Sequence, residues 1–493
     1  MSWSGLLHSF RIPASALFCG KGRRPADLAV EFFGFASDGI RVSKLLIPIQ
    51  IRSGAPLSNH PLSPIEIMNT AMASRKLLDS SLVACAVLLA TSALGVKCAS
   101  GATLPVVRQG PSSQTIEDGS TAVLCVDADD DSSQSKGSES ARPGAAEQPA
   151  ADHAGGYVKY KWLRNGEPLV GASEAVLVIR GASTASSGLY RCVLSNSAGS
   201  VNTDEAELRV VEASCPGHLT MMSCRSFSGI GGKRLIAGFV VGRSSMRGSM
   251  PLVLRASGPS LLSRGVERAL PDPLLVLREG GAFIAANRGW SGDMRVSSAA
   301  GAAGAMDWDD VMSSDSALVE TLPCGAYTAE VFGDKGDTGF AAADVFDTRP
   351  PSQFTRDLAR LVNVSVRSPV GLGANVPIMK FAVGGTTAVT LLIRGMGPAL
   401  SAHGVAEVLA TPSLLLYRLN VDGSQTWLQS NTRWGGKPYL SEIADRIGAF
   451  PWKSVSEADA AILLTVPPGE YVLILAGADG ETGVAIMEIY EVP

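Results

Sequence analysis

Apolar and polar residues alternate along several short stretches of this chain, which is the period-two pattern of half-buried β-strands. The first examples are residues 121–125 (TAVLC) and 157–162 (YVKYKW), and the apolar run 175–179 (AVLVI) predicts a third strand. Asn165-Gly166, between the second and third stretches, is a typical two-residue hairpin turn. Short apolar runs bounded by Gly and Pro continue to the end of the chain. The pattern therefore predicts an all-β protein.

The second half of the chain contains an internal duplication, whose two copies are residues 225–348 and 361–493. The matching motifs are 254–261 (LRASGPSL) with 393–400 (IRGMGPAL), Asn287-x-x-Trp290-x-Gly292 with Asn431-x-x-Trp434-x-Gly436, and 322–327 (LPCGAY) with 466–471 (VPPGEY). Most of each unit has the pattern of strands, and only 297–303 and 441–447 predict a short helix. Two tandem β-sandwiches of about 130 residues each fit best.

Residues 105–212 carry a different set of features. Cys125 lies in a strand-like stretch, Trp162 follows in the next strand, and Tyr190 stands two residues before Cys192. This Cys…Trp…Tyr-x-Cys order, followed by an Asn-Ser-Ala-Gly turn, resembles the I-set members of the immunoglobulin family. The resemblance predicts an immunoglobulin β-sandwich followed by the two tandem β-sandwich repeats.

The immunoglobulin resemblance implies a disulfide between Cys125 and Cys192 that joins the two sheets. Trp162 should pack on this disulfide, and the Tyr190 hydroxyl should hydrogen-bond back toward the preceding corner. The strand alternation agrees, because it predicts that Val123 and Cys125 face inward. Closing a loop of this length stabilises a domain by about 4 kcal/mol in the chain-entropy treatment.

An insert at residues 127–156 interrupts this pattern where the family usually has a short loop. The insert is polar, rich in Ala, Ser and Pro, and almost without apolar residues, so it predicts a disordered acidic segment. Asp127, Asp129 and Asp131 are spaced like the opening of a calcium loop, but Ser132 stands where that loop needs Gly. A solvated loop is therefore favoured over weak calcium binding, and no metal site is predicted.

The segment around residues 72–102 predicts export. An apolar run at 82–94 follows Arg75 and Lys76, and small residues come next. This is the layout of a secretory signal peptide, and the run is short for a membrane span, which needs about 20 residues. Residues 1–71 are then an overextended gene start or a disordered prefix, with a signal anchor as the alternative. We expect a secreted or cell-surface protein with no membrane span after signal cleavage.

The sequence also predicts the domain boundaries. The expected order is the immunoglobulin-like domain at 105–212, a linker at 213–224, the first repeat at 225–349, a linker at 350–360 and the second repeat at 361–493.

Composition and charge narrow the classes of partner. The chain has 493 residues with 53 Gly, 28 Pro and a net charge of −4, and its basic residues are scattered, so no nucleic-acid partner is expected. The 8 cysteines fit an exported protein. Cys215 and Cys224 are a candidate second disulfide, and Cys324 is either free or paired with one of them.

Catalytic signatures are missing from the sequence. It contains no H-E-x-x-H, no G-x-S-x-G and no phosphate-binding loop, so we expect no enzyme activity and no cofactor. Asp307, Asp309 and Asp310 are the best local acids for a glycosidase. The second repeat has no matching acids, which disfavours that idea.

Four repeated residues are candidates for a ligand platform. Arg255 and Arg394 are expected to cap loop carbonyls or to pair with an acid of their own domain, with an anion clamp as the alternative. Trp290 and Trp434 are expected to pack in the core or at an edge. The alternative is an exposed surface on which a sugar ring stacks.

The repeat signatures resemble tandem domains of uncharacterised secreted bacterial proteins that also carry immunoglobulin modules. The P-P-G-x-Y signature is also similar to bacterial pre-peptidase C-terminal sandwich domains. The leading hypothesis is a non-catalytic extracellular adhesion or interaction protein whose protein or glycan ligand is unknown. The second is a carbohydrate-binding accessory protein that uses exposed Trp side chains. A secreted hydrolase is the least favoured.

Overall fold

The computed structural model describes residues 103–129, 158–452 and 458–493. The predicted prefix 1–71 and signal peptide 72–102 lie outside the described residues, as does nearly all of the predicted insert 127–156. Residues 127–129, at the start of that insert, form a short strand rather than a disordered segment. In the described part of the chain, no helix is both long and apolar enough to cross a membrane.

The first domain is an immunoglobulin-like β-sandwich. Its strands are β1 (Val106–Gln109), β2 (Gln114–Glu117), β3 (Ala122–Cys125), β4 (Asp127–Asp129), β5 (Lys159–Arg164), β6 (Glu167–Pro168), β7 (Val176–Ile179), β8 (Gly188–Asn196), β9 (Gly199–Asn202) and β10 (Ala206–Val211). One sheet has the order β2-β10-β8-β5-β6 with β9 on β8, and β3 pairs with β7 in the facing layer. The β1 strand pairs with β4.

Trp162 and Tyr190 take the core positions that the sequence predicts. Trp162 is fully buried, and its Nε1 donates to the Glu174 carbonyl oxygen at 2.9 Å. The Tyr190 hydroxyl donates to the Ser186 carbonyl oxygen at 2.7 Å, just before β8 begins. These two hydrogen bonds satisfy polar atoms that would otherwise be buried in the apolar core without a partner.

The predicted disulfide between Cys125 and Cys192 is not formed, and both thiols are free. Leu124 and Val126 face the core that contains Cys192, whereas Val123 and Cys125 point out of the opposite face of β3. The prediction that Val123 and Cys125 face inward was therefore wrong by one residue. Because side chains alternate along a strand, a one-residue error in phase moves the whole set to the other face.

The second half contains two copies of one strand order. The first repeat has β11 (His218–Ser228), β12 (Leu235–Val241), β13 (Ser249–Ser257), β14 (Pro273–Glu279), β15 (Ala282–Arg288), helix α1 (Met294–Ala302), β16 (Ser316–Pro323), β17 (Gly325–Gly333) and β18 (Gly339–Asp347). The second has β19 (Leu361–Val370), β20 (Ile378–Gly384), β21 (Val389–Met396), β22 (Pro412–Leu419), β23 (Gln425–Asn431), helix α2 (Pro438–Arg446), β24 (Ala460–Val466), β25 (Gly469–Gly477) and β26 (Gly483–Val492). Both short helices lie where the sequence predicts them.

The predicted linker at 213–224 differs from the structure, because β11 already begins at His218. His218 is buried, and its ring stacks on Phe354 at a centroid distance of 3.5 Å. The run from His218 to Ser228 mixes polar and apolar residues with little of the expected alternation, which hides the strand in the sequence.

The two repeats are joined edge to edge through their first two strands. The β12 strand of the first repeat pairs with β19 of the second, and β11 pairs with β20. Two continuous layers of eight paired strands, called ladders below, therefore run across both repeats. Their strand orders are β15-β14-β17-β12-β19-β26-β21-β24 and β16-β13-β18-β11-β20-β25-β22-β23.

This pairing has the form of a two-fold interface inside one chain. In each case the first strand of one repeat meets the second strand of the other, as in a self-complementary dimer contact. The inward-facing apolar side chains of both repeats form one continuous core. The joint pairs four strands whose backbone groups would otherwise lie unpaired at sheet edges.

The repeated Gly-Pro signature builds the same turn in both copies. A Cβ on Gly258 would lie 2.2 Å from the Leu270 carbonyl oxygen, and one on Gly397 would lie 2.1 Å from that of Leu409. Only glycine tolerates such close backbone approach. A buried carboxylate oxygen of Asp315 accepts from the Gly258 amide at 2.6 Å, and the same bond recurs in the second repeat.

The second repeated signature ends in a buried tyrosine. The hydroxyls of Tyr327 and Tyr471 each donate to the carbonyl oxygen four residues earlier, at 3.0 and 2.5 Å. Their rings stack on Phe239 and Phe381 at centroid distances of 5.5 and 5.2 Å. Both signatures therefore stabilise the fold of the repeat.

The immunoglobulin-like domain packs on the second repeat. The outer face of β3 and β7 shares an apolar cluster with residues of β21, β24 and α2. The Val123 amide donates to the Thr465 hydroxyl at 2.9 Å, and the Thr121 hydroxyl donates to the Pro493 carbonyl oxygen at 2.5 Å. The face of β3 that the sequence assigns to the domain core is thus an interface between domains.

Candidate functional site

Arg394 is a structural residue. It is fully buried, its Nε and Nη2 donate to Glu488 Oε2 at 2.9 and 2.7 Å, and its Nη1 donates to the Phe450 carbonyl oxygen at 2.8 Å. This is the expected pairing with an acid and a loop carbonyl of the same domain. The alternative interpretation of Arg394, a place in a ligand platform, was wrong, because this side chain has no exposed surface.

Arg255 occupies the equivalent place in the first repeat but is less completely bonded. Its Nη1 donates to the Met306 carbonyl oxygen at 2.6 Å, and its Nε lies 3.7 Å from Asp344 Oδ2. The Arg255 guanidinium also lies over the Trp308 ring, 4.2 Å from its centroid. Burial lowers the pKa of Arg255 and raises the pKa of Asp344, while their mutual attraction opposes both shifts.

The proposed sugar platform does not form, because both repeated tryptophans are buried. Trp290 is 7% exposed and Trp434 is 4% exposed. Trp290 packs edge-on against Trp308, and Trp434 stacks on Trp452 at a centroid distance of 4.4 Å. Each tryptophan packs beside the helix of its repeat, as the packing interpretation expected.

The candidate disulfides among the remaining cysteines are also absent. Cys215, Cys224 and Cys324 are all free. Cys224 points into the shared core and is fully buried, which raises the pKa of its thiol, whereas Cys324 is exposed. Within the described residues, no group of three or more His, Cys, Asp or Glu side chains could hold a metal ion.

An open groove lies on the outer face of the ladder that contains β11 and β20. It has a volume of about 260 Å³ and extends from the first repeat across the joint to the second. Its lining includes Ser223, Arg255 and Asp344, and Asp344 accepts a hydrogen bond from the Ser223 hydroxyl at 2.6 Å. Lys380 and Glu470, from the second repeat, form an ion pair of 2.9 Å at its far side.

Apolar side chains lie beside these polar groups in the groove. Met221, Phe346 and Trp308 come from the first repeat, and Ile378 and Leu419 come from the second. A mainly apolar lining with a few polar groups is typical of ligand sites, where the polar groups orient the ligand and the apolar side chains bury it.

Asp344 and Lys380 were missed in the sequence. Both lie in strands, and an acid does occur in the last strand of each repeat, Asp344 in β18 and Glu488 in β26. An Arg and an acid occur at equivalent positions of both repeats, and this repetition could have indicated in the sequence that the two side chains pair. The position of Lys380 opposite them depends on the pairing of β11 with β20, which the sequence does not reveal.

A second cavity, of about 370 Å³, lies where the immunoglobulin-like domain meets the repeats. Its charged side chains are paired: Arg356 contacts Glu117 at 3.3 Å, and Arg360 forms a bidentate ion pair with Glu491. We interpret this cavity as part of the domain contact, because its charges already bond to one another.

No family model matches the chain, and no curated protein matches it. Among solved structures, it is similar to the tandem Ig repeats of Dlar (20% identity, TM-score 0.16, 22% of this chain and 48% of that one). It is also similar to the Ig1-2 module of the Drosophila receptor protein tyrosine phosphatase DLAR (20% identity, TM-score 0.17, 23% and 49%). A third likeness is to Sidekick-1 immunoglobulin domains 1-5 (10% identity, TM-score 0.15, 77% and 97%).

The matched region spans about half the length of each of the two Dlar structures. At these TM-scores the likenesses carry no argument about function. The chain is an all-β protein with an immunoglobulin-like sandwich and two β-sandwich repeats, and this conclusion rests on its own strand order.

Proposed function

We propose that this chain is a non-catalytic interaction protein that works outside the cell and binds its partner in the groove at the joint of the repeats. The observation that carries the proposal is the groove itself, in which polar and apolar side chains of both repeats lie together across the β11–β20 pairing. The other repeated charged and aromatic side chains are engaged in bonds and packing that stabilise each domain. Because those side chains are already engaged, the groove is the surface best suited to bind a partner.

A peptide-display selection tests this proposal without assuming a partner. The full chain is immobilised and exposed to a random peptide library, and the selection is repeated on Ile378→Trp, which adds bulk at the groove wall. Ile236→Trp is the matched control, because Ile236 holds the equivalent position in β12 on the opposite ladder. We expect peptides that enrich on the unmodified chain and on Ile236→Trp but not on Ile378→Trp. Enrichment that is absent, or equal on all three proteins, contradicts the proposal.

The location outside the cell has its own test. Secreted material should begin within or shortly after residues 93–102, since the signal peptide is removed there. N-terminal sequencing of that material decides the point. Recovery of an intact chain from Met1 would contradict export by this signal.

A further inference from the structure

The two repeats build the same Arg-acid pair, but only the second repeat closes it. Around Arg394, the rings of Phe450, Trp452 and Tyr490 lie at 4.5, 5.0 and 5.5 Å from the guanidinium carbon. Glu488 reaches Arg394 with two bonds. The guanidinium is thereby enclosed on its open sides by side chains of its own repeat.

In the first repeat Trp308 corresponds to Trp452 and covers Arg255, but two other enclosing side chains are replaced by smaller or shorter ones. Asp344 replaces Glu488 and is one methylene shorter, so its nearest oxygen stays 3.7 Å from Arg255 Nε. Arg255 is only 4% exposed, and its Nε has no hydrogen-bond partner in the described residues. Met306 stands where Phe450 stands in the second repeat. The result is a groove beside a buried Arg255 whose charge is less fully compensated by hydrogen bonds than that of Arg394.

A second cation faces the same space. Arg264, half-buried at the groove edge, donates to the Met306 sulfur at 3.2 Å and to the Asp307 carbonyl oxygen at 2.9 Å, and it forms no ion pair with a carboxylate of the described residues. Among the charged groups lining the groove, three are cations (Arg255, Arg264 and Lys380) and two are carboxylates (Asp344 and Glu470), so the excess is one positive charge.

We propose that the groove binds a small carboxylate with an apolar body. The carboxylate accepts a charge-assisted hydrogen bond from Arg264 at the groove edge, and the positive charge of the buried Arg255 adds to the attraction. The apolar body packs against Met221, Phe346 and Trp308. The inference rests on the proposed function only in taking the groove as a binding site, and it names the chemical class that the site selects.

A matched pair of probes tests the charge requirement. N-acetyl-leucine carries a carboxylate and an apolar side chain, and N-acetyl-leucinamide has the same body with a neutral amide. Binding to the full chain is measured by isothermal titration and by saturation-transfer NMR at pH 7. We expect the carboxylate to bind at least tenfold more tightly than the amide.

Two substitutions locate the effect. Arg264→Gln should abolish the preference for the carboxylate, because the unpaired cation is removed. His403→Gln is the control, since His403 ends the equivalent turn of the second repeat, whose site is filled. Ile378→Trp should block both probes by filling the groove. Thermal melting of each variant checks that it is folded.

Three outcomes overturn the inference. They are equal binding of the two probes, no binding of either at millimolar concentration, and a preference that survives in Arg264→Gln. If neither probe binds while display still selects peptides that Ile378→Trp loses, the carboxylate inference fails and the proposed function stands. If both experiments fail, the groove is not a binding site.

Discussion

Buried arginines act in this chain as cross-links between strands. Arg394 and Glu488 join β21 to β26, and Arg360 joins the segment before β19 to Glu491 near the end of β26. Removing one partner of such a pair costs about 3–5 kcal/mol, because it leaves the other charge buried without compensation. These arginines therefore specify which strands meet.

The first residue-scale prediction concerns the missing disulfide. Val126 faces the same apolar cluster as Cys192, so Val126→Cys should form the bridge that Cys125 cannot form. Under oxidising conditions we expect a gain of about 4 kcal/mol in the free energy of unfolding from closing this loop. Urea denaturation with and without a reductant measures the difference.

Cys125→Ser is the control for this prediction, because it removes the outward thiol without touching the inner face of β3. The variant with both substitutions should keep the full gain, and Cys125→Ser alone should gain nothing on oxidation. A titration that still finds the Cys192 thiol free in Val126→Cys would show that the two side chains do not meet.

The second residue-scale prediction concerns pH. Burial lowers the pKa of His218 from its ordinary 6.5, so the folded state binds a proton less readily than the unfolded state. Stability from this residue is therefore complete above pH 6.5 and is lost as the pH falls from there toward the lowered pKa. The slope approaches about 1.4 kcal/mol per pH unit, the value for one proton.

His218→Phe should remove this part of the slope, since phenylalanine retains a ring to stack on Phe354 and binds no proton. Denaturant melts at half-unit steps from pH 5 to pH 8 give the two curves. Parallel curves for the two proteins would show that His218 is not the titrating group.

At the scale of elements, β3 has two buried faces. One faces the core of the immunoglobulin-like domain and the other faces the second repeat. A strand covered on both sides carries apolar residues on both faces, so alternation cannot fix its phase in the sequence. This is why an assignment based on alternation and on the cysteine chose the wrong face.

Val123→Lys tests the outer face of β3. Val123 is 4% exposed against the second repeat, and a buried unpaired ammonium there should weaken the domain contact by about 2–4 kcal/mol. We expect calorimetry to resolve an earlier transition for the immunoglobulin-like domain. Val170→Lys, at a fully exposed position, is the control and should leave the melt unchanged. A single unaltered transition in Val123→Lys would mean that the contact contributes little.

At the scale of the whole molecule, the two repeats form one folding unit. Their cores merge, and each repeat supplies two edge strands to the other. A repeat alone would expose apolar side chains and two unpaired edges, which is a template for association.

A fragment of residues 214–349 should therefore self-associate or fail to fold, whereas 214–493 should be a monomer with one unfolding transition. Sedimentation velocity across a range of micromolar concentrations distinguishes these cases. A stable, monomeric 214–349 fragment would contradict the shared core.

The sequence by itself determined the all-β class, the immunoglobulin-like pattern, the duplication and both short helices, because these depend on local periodicity, turn residues and repeated motifs. It also predicted correctly that Trp162 and Tyr190 lie in the core. Tertiary structure alone decided which face of β3 is inside, that Trp290 and Trp434 are buried, and that Arg255 borders a groove while Arg394 does not. Each of these depends on a partner far away in the chain, and local pattern contains no information about which edges meet.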